Sequence, residues 1–125
     1  MKTTTTLNYW EGYLSVFTFL QLVYVGKKEK EDLDNLIDSM NPQKRRMDRT
    51  MLIDWICVLS GNEMLKDKIE LEECFPIMVK YLSLEEKKYG LHYKHVIKKL
   101  KRAYSKRKHS MIWNAWVGAC LMTKA

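Results

Sequence analysis

Apolar residues recur at helical spacing in six stretches of the chain. In the first, Trp10, Tyr13, Leu14, Phe17 and Leu20 follow the i, i+3, i+4 rule of one helix face. Val16, Phe19, Leu22 and Val23 extend apolar surface almost all the way round, which predicts a central helix. Asn8 with Glu11 three places later has the form of a capping box. This helix is expected to reach about Tyr24 and to end at Gly26. A second helix, Lys27 to Asp38, is charged outside and carries Leu33, Leu36, Ile37 and Met40 inside; Asn41-Pro42 stops it. After a basic loop, Gln43 to Arg46, a third helix is capped by Asp48 or Thr50 and carries Leu52, Trp55, Ile56 and Leu59. Ser60-Gly61-Asn62 closes it.

A connector, Glu63 to Lys68, leads to a fourth helix between Ile69 and Leu82. Pro76 has no N–H to donate, so it kinks this helix or marks its first turn, with a start as late as Cys74. Leu84 to Tyr89 extends it or forms a separate turn, and Gly90 breaks the chain. A fifth helix is predicted from about Leu91 to Tyr104, and a sixth, capped by Ser110, to about Met122.

The apolar pattern repeats. Met51-Leu52-Ile53-Asp54-Trp55 is echoed by Met111-Ile112-Trp113-Asn114-Ala115-Trp116, with the tryptophans Trp55 and Trp116 61 residues apart. Glu11, Tyr13, Val16, Phe19 and Leu20 match Glu73, Phe75, Met78, Tyr81 and Leu82, 62 residues later. Leu33, Leu36, Ile37 and Met40 match Tyr93, Val96, Ile97 and Leu100, 60 residues later. Three blocks in one order predict an all-α, six-helix bundle built from two pseudo-repeated three-helix units, about 8–61 and 69–122. A lone copy of about 60 residues would be marginal, so the two are expected to share one core in a single domain.

With 46% hydrophobic residues and four Trp, the 125-residue chain can bury a substantial core, and only two Pro and five Gly argue against a strand-rich fold. Three cysteines, Cys57, Cys74 and Cys120, lack framework spacing and suggest a reducing compartment. Cys57 and Cys120 occupy matching apolar helices and are expected in the core. The apolar stretch near the start is interrupted by Asn8, Glu11 and Gln21, unlike a signal peptide or a membrane span. The expected location is cytosolic, with no membrane partner.

The net charge of +7 conceals a split. Between Gly90 and Ala125 there is no Asp or Glu and there are nine Lys or Arg, which leaves residues 1–89 at −2. The second helix holds Glu29, Glu31, Asp32, Asp34 and Asp38; the fifth, its counterpart, is basic. Eight basic residues fall within the fifteen from Lys94 to Lys108. A solvated face usually mixes signs, since like charges at i, i+4 repel. Lys94, Lys98, Lys99, Lys101, Arg102, Lys106, Arg107 and Lys108, with Tyr104 among them, are therefore the candidate partner-binding residues. The partner is an acidic protein or a nucleic acid. In the second case the cations would neutralise phosphates, and Tyr93 and Tyr104 would stack on bases. No helix-turn-helix, zinc-finger or aromatic-platform motif accompanies the charge.

Catalytic and metal chemistry find little footing. His92 and His95 lie three apart, with no carboxylate or cysteine near them in sequence and with Lys94 between to repel a cation. There is no phosphate-cradling glycine loop, nucleophile elbow or Cys-x-x-Cys. Asp54 is expected on an exposed or capping edge, and Glu72-Glu73 as a helix-start charge pair. No enzyme activity, cofactor or metal is expected.

The first copy carries three further elements: Tyr13, Val16, Phe19 and Leu20 on one helix, Asp32, Leu33, Leu36, Ile37 and Met40 on the next, and Asp48, Asp54, Trp55 and Ile56 on the third. In these it resembles a family of small bacterial immunity proteins of contact-dependent growth inhibition systems. That family's pattern has an aromatic-x-x-Met-x-x-Phe-Leu helix, an Asp-rich start to a Leu-Leu helix, and an Asp-Pro-Ala turn into Trp-x-Asp-Trp-Leu. Here Arg49-Thr50 replaces Pro-Ala and Leu52 replaces the first Trp. The second copy has that Trp as Trp113 and keeps Trp116, but has Lys108 and Ala115 where the pattern has Asp. The resemblance spans about 45 residues per copy, mostly core positions. It implies a protein that binds and neutralises a toxin-type effector, and no toxin-binding residue is carried over from it. A nucleic-acid-binding protein and a phage-encoded inhibitor of a host defence complex are the alternatives.

Overall fold

The chain enters its first helix, α1 (Tyr9–Tyr24), through the capping box. The Asn8 N–H donates to Glu11 Oε1 at 2.9 Å and the Glu11 N–H to Asn8 Oδ1 at 2.8 Å, so two donors at the helix start are satisfied reciprocally. The Asn8 N–H holds the Glu11 carboxyl below its ordinary 4.5; partial burial opposes this, and Lys124, with Nζ 3.2 Å from Oε2, assists. The computed structural model describes residues 5–24, 31–42, 49–60, 68–89, 93–106 and 110–124, with the side chains of 24, 31–35 and 89 outside the description.

Among the described residues the protein is all-α, with six helices and one two-residue antiparallel ribbon. The ribbon pairs β1 (Thr6–Leu7) with β2 (Ile69–Glu70), Leu7 opposite Ile69. The helices that follow α1 are α2 (Glu31–Met40), α3 (Arg49–Leu59), α4 (Leu71–Tyr89), α5 (Lys94–Ser105) and α6 (Met111–Lys124). The second helix stops at Met40, before Asn41-Pro42, as the sequence predicts. Ser110 caps α6: its Oγ accepts the Trp113 N–H at 3.2 Å. Gly26, the loop 43–46, Asp48, Gly61, Asn62 and Gly90 lie outside the described residues.

Several boundaries differ from expectation. Thr50 lies inside α3 rather than capping it. Leu7, ahead of the first helix, is fully buried, and Ile69 is in the ribbon rather than in a helix. The fourth helix begins at Leu71 and runs unbroken through Pro76 to Tyr89. An interior proline removes a hydrogen bond, here the one to the Glu72 carbonyl, at a cost of about 3 kcal/mol. Tertiary anchors hold the start of α4 in spite of it. The Leu71 N–H donates to the Thr5 carbonyl at 3.0 Å, extending the ribbon, and the Trp116 indole fixes the Leu71 carbonyl.

One contiguous core draws on both ribbon strands and all six helices. The first helix is central, packing most extensively along α6 and also on α2, α3 and α4. Two indoles sit at its heart, both fully buried. Trp55 Nε1 donates to the Tyr9 carbonyl at 2.9 Å and lies edge-on to Tyr81, centroids 5.5 Å apart at 90°. Trp116 Nε1 donates to the Leu71 carbonyl at 2.9 Å and lies edge-on to Phe19, 5.6 Å apart at 88°. Each indole thus ties its own α-helix to the first turn of α1 or α4, and packs its ring on the other of the two. Gly12 lets Trp55 approach: a Cβ there would lie 3.0 Å from the indole Cζ2. Buried hydroxyls close the remaining gaps, Tyr13 donating to the Met40 carbonyl at 2.8 Å and Tyr81 to the Met51 carbonyl at 3.1 Å.

Trp55→Ala is expected to destabilise the protein by about 3–5 kcal/mol, through the cavity it leaves and the lost indole hydrogen bond. Urea unfolding followed by circular dichroism measures this. A loss below about 0.5 kcal/mol would remove Trp55 from the core.

Candidate partner-binding face

The fifth helix is held by a narrow stripe. Val96, Ile97, Leu100 and Ala103 are buried, at the i, i+1, i+4, i+7 positions of one face. Tyr93, at the N-cap, is buried too, and its backbone N–H donates to Glu86 Oε2. Apart from His95, Tyr104 and Ser105, everything else that α5 presents is basic. Lys94, Lys98, Lys99, Lys101 and Arg102 are exposed, as is Lys106 just beyond the helix, and none of the six forms an ion pair among the described residues. Arg107 and Lys108 lie outside the described residues.

This surface runs against the local electrostatics of a helix. Lys94, Lys98, Arg102 and Lys106 stand at successive i, i+4 positions, where like charges repel. Lys94 also sits at the helix N-terminus, where the backbone dipole favours an anion; the Tyr93 side chain makes no cap there, and the anion that meets this end is the Glu86 carboxylate on the Tyr93 N–H. The buried stripe carries the stability of α5; its outer charges repel one another, while Arg102 and Lys106 stand at the C-terminal end that the dipole favours for cations.

The basic ridge is flanked by two depressions with apolar floors. On the α4 side, a cleft of about 420 Å³ has Phe75, Pro76, Val79 and the Tyr104 ring for walls, with Lys80, Ser83 and Lys101 around them. On the α6 side, a shallower one of about 290 Å³ lies over Ala103 and Ile112, ringed by Lys99, Arg102, Lys106 and Ser110. Met111, which opens α6 beside this second depression, is 86% exposed.

The aromatic residues of the segment are packed into the protein rather than standing out from it. Tyr93 is buried. Tyr104 is half-buried, stacked on Phe75 at 5.6 Å and 10° and edge-on to Trp113 at 5.9 Å. Sequence spacing placed both beside lysines without showing that their faces point inward. Lys80, Ser83, Met111 and Ile112 were missed as members of this face. Lys80 comes from a different helix, and only helix packing brings it beside Lys101.

Elsewhere the chemistry is quiet. Among the described residues no three His, Cys, Asp or Glu side chains cluster as a metal site; His95 is exposed and His92 lies outside the description. Asp54 is buried rather than on an exposed edge, because Lys88 of α4 reaches it with Nζ 3.0 and 3.1 Å from its two oxygens. Cys57 is exposed, against the expectation of a core position, because the α3 face that buries Met51, Asp54 and Trp55 turns it outward. Cys74 and Cys120 are buried. Burial pushes the Cys74 thiol far above its ordinary 9.0, with Cys120 adding, and pushes Cys120 up to about 12 against the opposing effect of the neighbouring Ser15. Among the described residues no helix is long and apolar enough to cross a membrane. Comparison of the chain with family models, with curated proteins and with solved structures returns no match.

A native-state titration with a disulfide thiol reagent at pH 8 is expected to modify Cys57 promptly, and Cys74 and Cys120 only after unfolding. Prompt reaction of all three would contradict the packing of Cys74 and Cys120.

Proposed function

We propose that this is a non-enzymatic, cytosolic protein of the immunity or inhibitor class. It docks on an acidic, toxin-type effector protein through the α5 face and blocks it. The observation that carries this reading is the exposed set Lys94, Lys98, Lys99, Lys101, Arg102 and Lys106, without an ion pair among the described residues and flanked by apolar depressions. Charge complementarity would set on-rate and partner choice. The depressions would receive the apolar side chains that carry most of the affinity in protein interfaces. The resemblance to small immunity proteins supports the same class. So do the paired contacts of Trp55 and Trp116, which we read as the trace of two diverged copies in which the fifth helix took on the charge.

Size constrains the docking mode. Twelve residues of helix are about 18 Å long. With a width of about 10 Å, the outer face of α5 offers roughly 200 Å², against about 800 Å² per partner in a standard interface. A stable partner must also cover the α4 and α6 flanks, including Lys80 and Met111. A phosphate backbone would need the cations alone; Tyr93 is buried, and Tyr104 is stacked on Phe75 and open only toward the cleft.

Reversing Lys98, Lys99, Lys101 and Arg102 to Glu is expected to abolish binding while leaving the helical circular dichroism signal intact. Wild type and variant are compared as baits for one stoichiometric protein partner, and by anisotropy with a labelled random DNA duplex at low and near-physiological salt. Capture of a partner by wild type alone, with no duplex binding, supports the proposal. Tight duplex binding that weakens steeply with salt would overturn it in favour of a nucleic-acid role.

A further inference from the structure

The cleft between α4 and α5 is more specific than a basic ridge requires. Its walls are fixed in place. Phe75 is fully buried and stacked on Tyr104, and both rings pack against Trp113, at 5.4 and 5.9 Å. Val79 is buried beneath the opening. Pro76, which interrupts the hydrogen bonding of α4, is only partly buried and turns its ring to the cleft. A residue that works against its own helix without filling the core marks a place where local rules yield to a site. The polar groups are few and of defined character. The ammonium groups of Lys80 and Lys101 belong to exposed residues with no ion-pair partner among those described. The Ser83 hydroxyl donates its proton to the Val79 carbonyl at 3.0 Å, so toward the cleft it can only accept.

An apolar cleft of about 420 Å³ with rigid aromatic walls, two cations and one acceptor lies within the range of small-ligand sites. We infer that it receives a tryptophan or tyrosine side chain of the acidic partner, flanked by a carboxylate. The ring enters between Pro76 and Tyr104, above the buried Phe75 and Val79, the ring N–H or O–H donates to Ser83 Oγ, and the neighbouring carboxylate meets Lys80 and Lys101. Charge complementarity selects this occupant: a plain aliphatic side chain leaves both cations unanswered, and a bare phosphate leaves the apolar walls uncovered. The inference rests on the docking reading above for the source of the occupant, a partner protein. Preformed walls make such a pocket an anchor, since little ordering is lost on binding.

The test needs no partner, so its failure is distinct from failure of the docking reading. N-acetyl-L-tryptophan, which carries an indole and a carboxylate, is titrated into the 15N-labelled full chain and followed by amide shifts. Its uncharged amide is the control. Shifts are expected to concentrate in 75–83 and 101–104, with the acid binding roughly fivefold more tightly than the amide. The double variant Lys80→Glu, Lys101→Glu, at two exposed positions, is expected to erase that preference with an unchanged circular dichroism spectrum. Scattered or absent shifts, or equal affinity for acid and amide, would overturn the inference. So would movement of the same amides with protein concentration alone, which would assign the cleft to a second copy of the chain.

Discussion

Two indole N–H groups hold this fold at its centre. Each of Trp55 and Trp116 reaches the first-turn carbonyl of a long helix, Tyr9 in α1 and Leu71 in α4, at the same 2.9 Å. A buried N–H without a partner is expensive, so a fully buried tryptophan needs an acceptor placed for it. That requirement fixes where α3 and α6 cross the helices they serve. The ring edges then set the rest, Trp55 against Tyr81 and Trp116 against Phe19. Since β1 and β2 lead directly into α1 and α4, the ribbon and the indoles constrain the same two helix starts.

Against this well-determined centre, α5 stands out as a helix whose surface works against it. Its buried stripe holds it to α4 and α6, and the charges outside add i, i+4 repulsion; Lys94 stands at the end the dipole disfavours, Arg102 and Lys106 at the end it favours. The acidic residues of α2 have no counterpart in α5, at the matching place in the sequence, and residues 90–125 hold no Asp or Glu. A fold that depended on surface charge would mix signs here. The one described pair bringing Lys to a buried acid, Lys88 with Asp54, shows how the molecule uses a cation when structure is the purpose.

What the sequence made legible was local. The capping box at Asn8 and Glu11, the Ser110 cap and the stop at Asn41-Pro42 each rest on residues three or fewer apart, and each is present. The helix class and the centrality of α1 followed from periodicity. What it concealed was tertiary. Pro76 reads as a breaker until the ribbon and Trp116 are seen holding the start of α4. Cys57 and Cys120 look alike in sequence, yet only Cys120 faces the core. Asp54 reads as an exposed acid until Lys88 arrives from another helix. The basic stretch itself was legible as charge, but its flanking depressions were not, because Lys80 and Lys101 meet only through packing.

The central claim is that the cations of α5 are surplus to the fold and serve recognition. The most direct measurement is the urea-unfolding free energy of a variant with Lys98, Lys99, Lys101 and Arg102 all changed to Gln. If the claim holds, stability is unchanged or rises by up to about 1 kcal/mol as like-charge repulsion is relieved. A fall of more than about 1 kcal/mol would mean that these side chains serve the structure, and the docking account would lose its foundation.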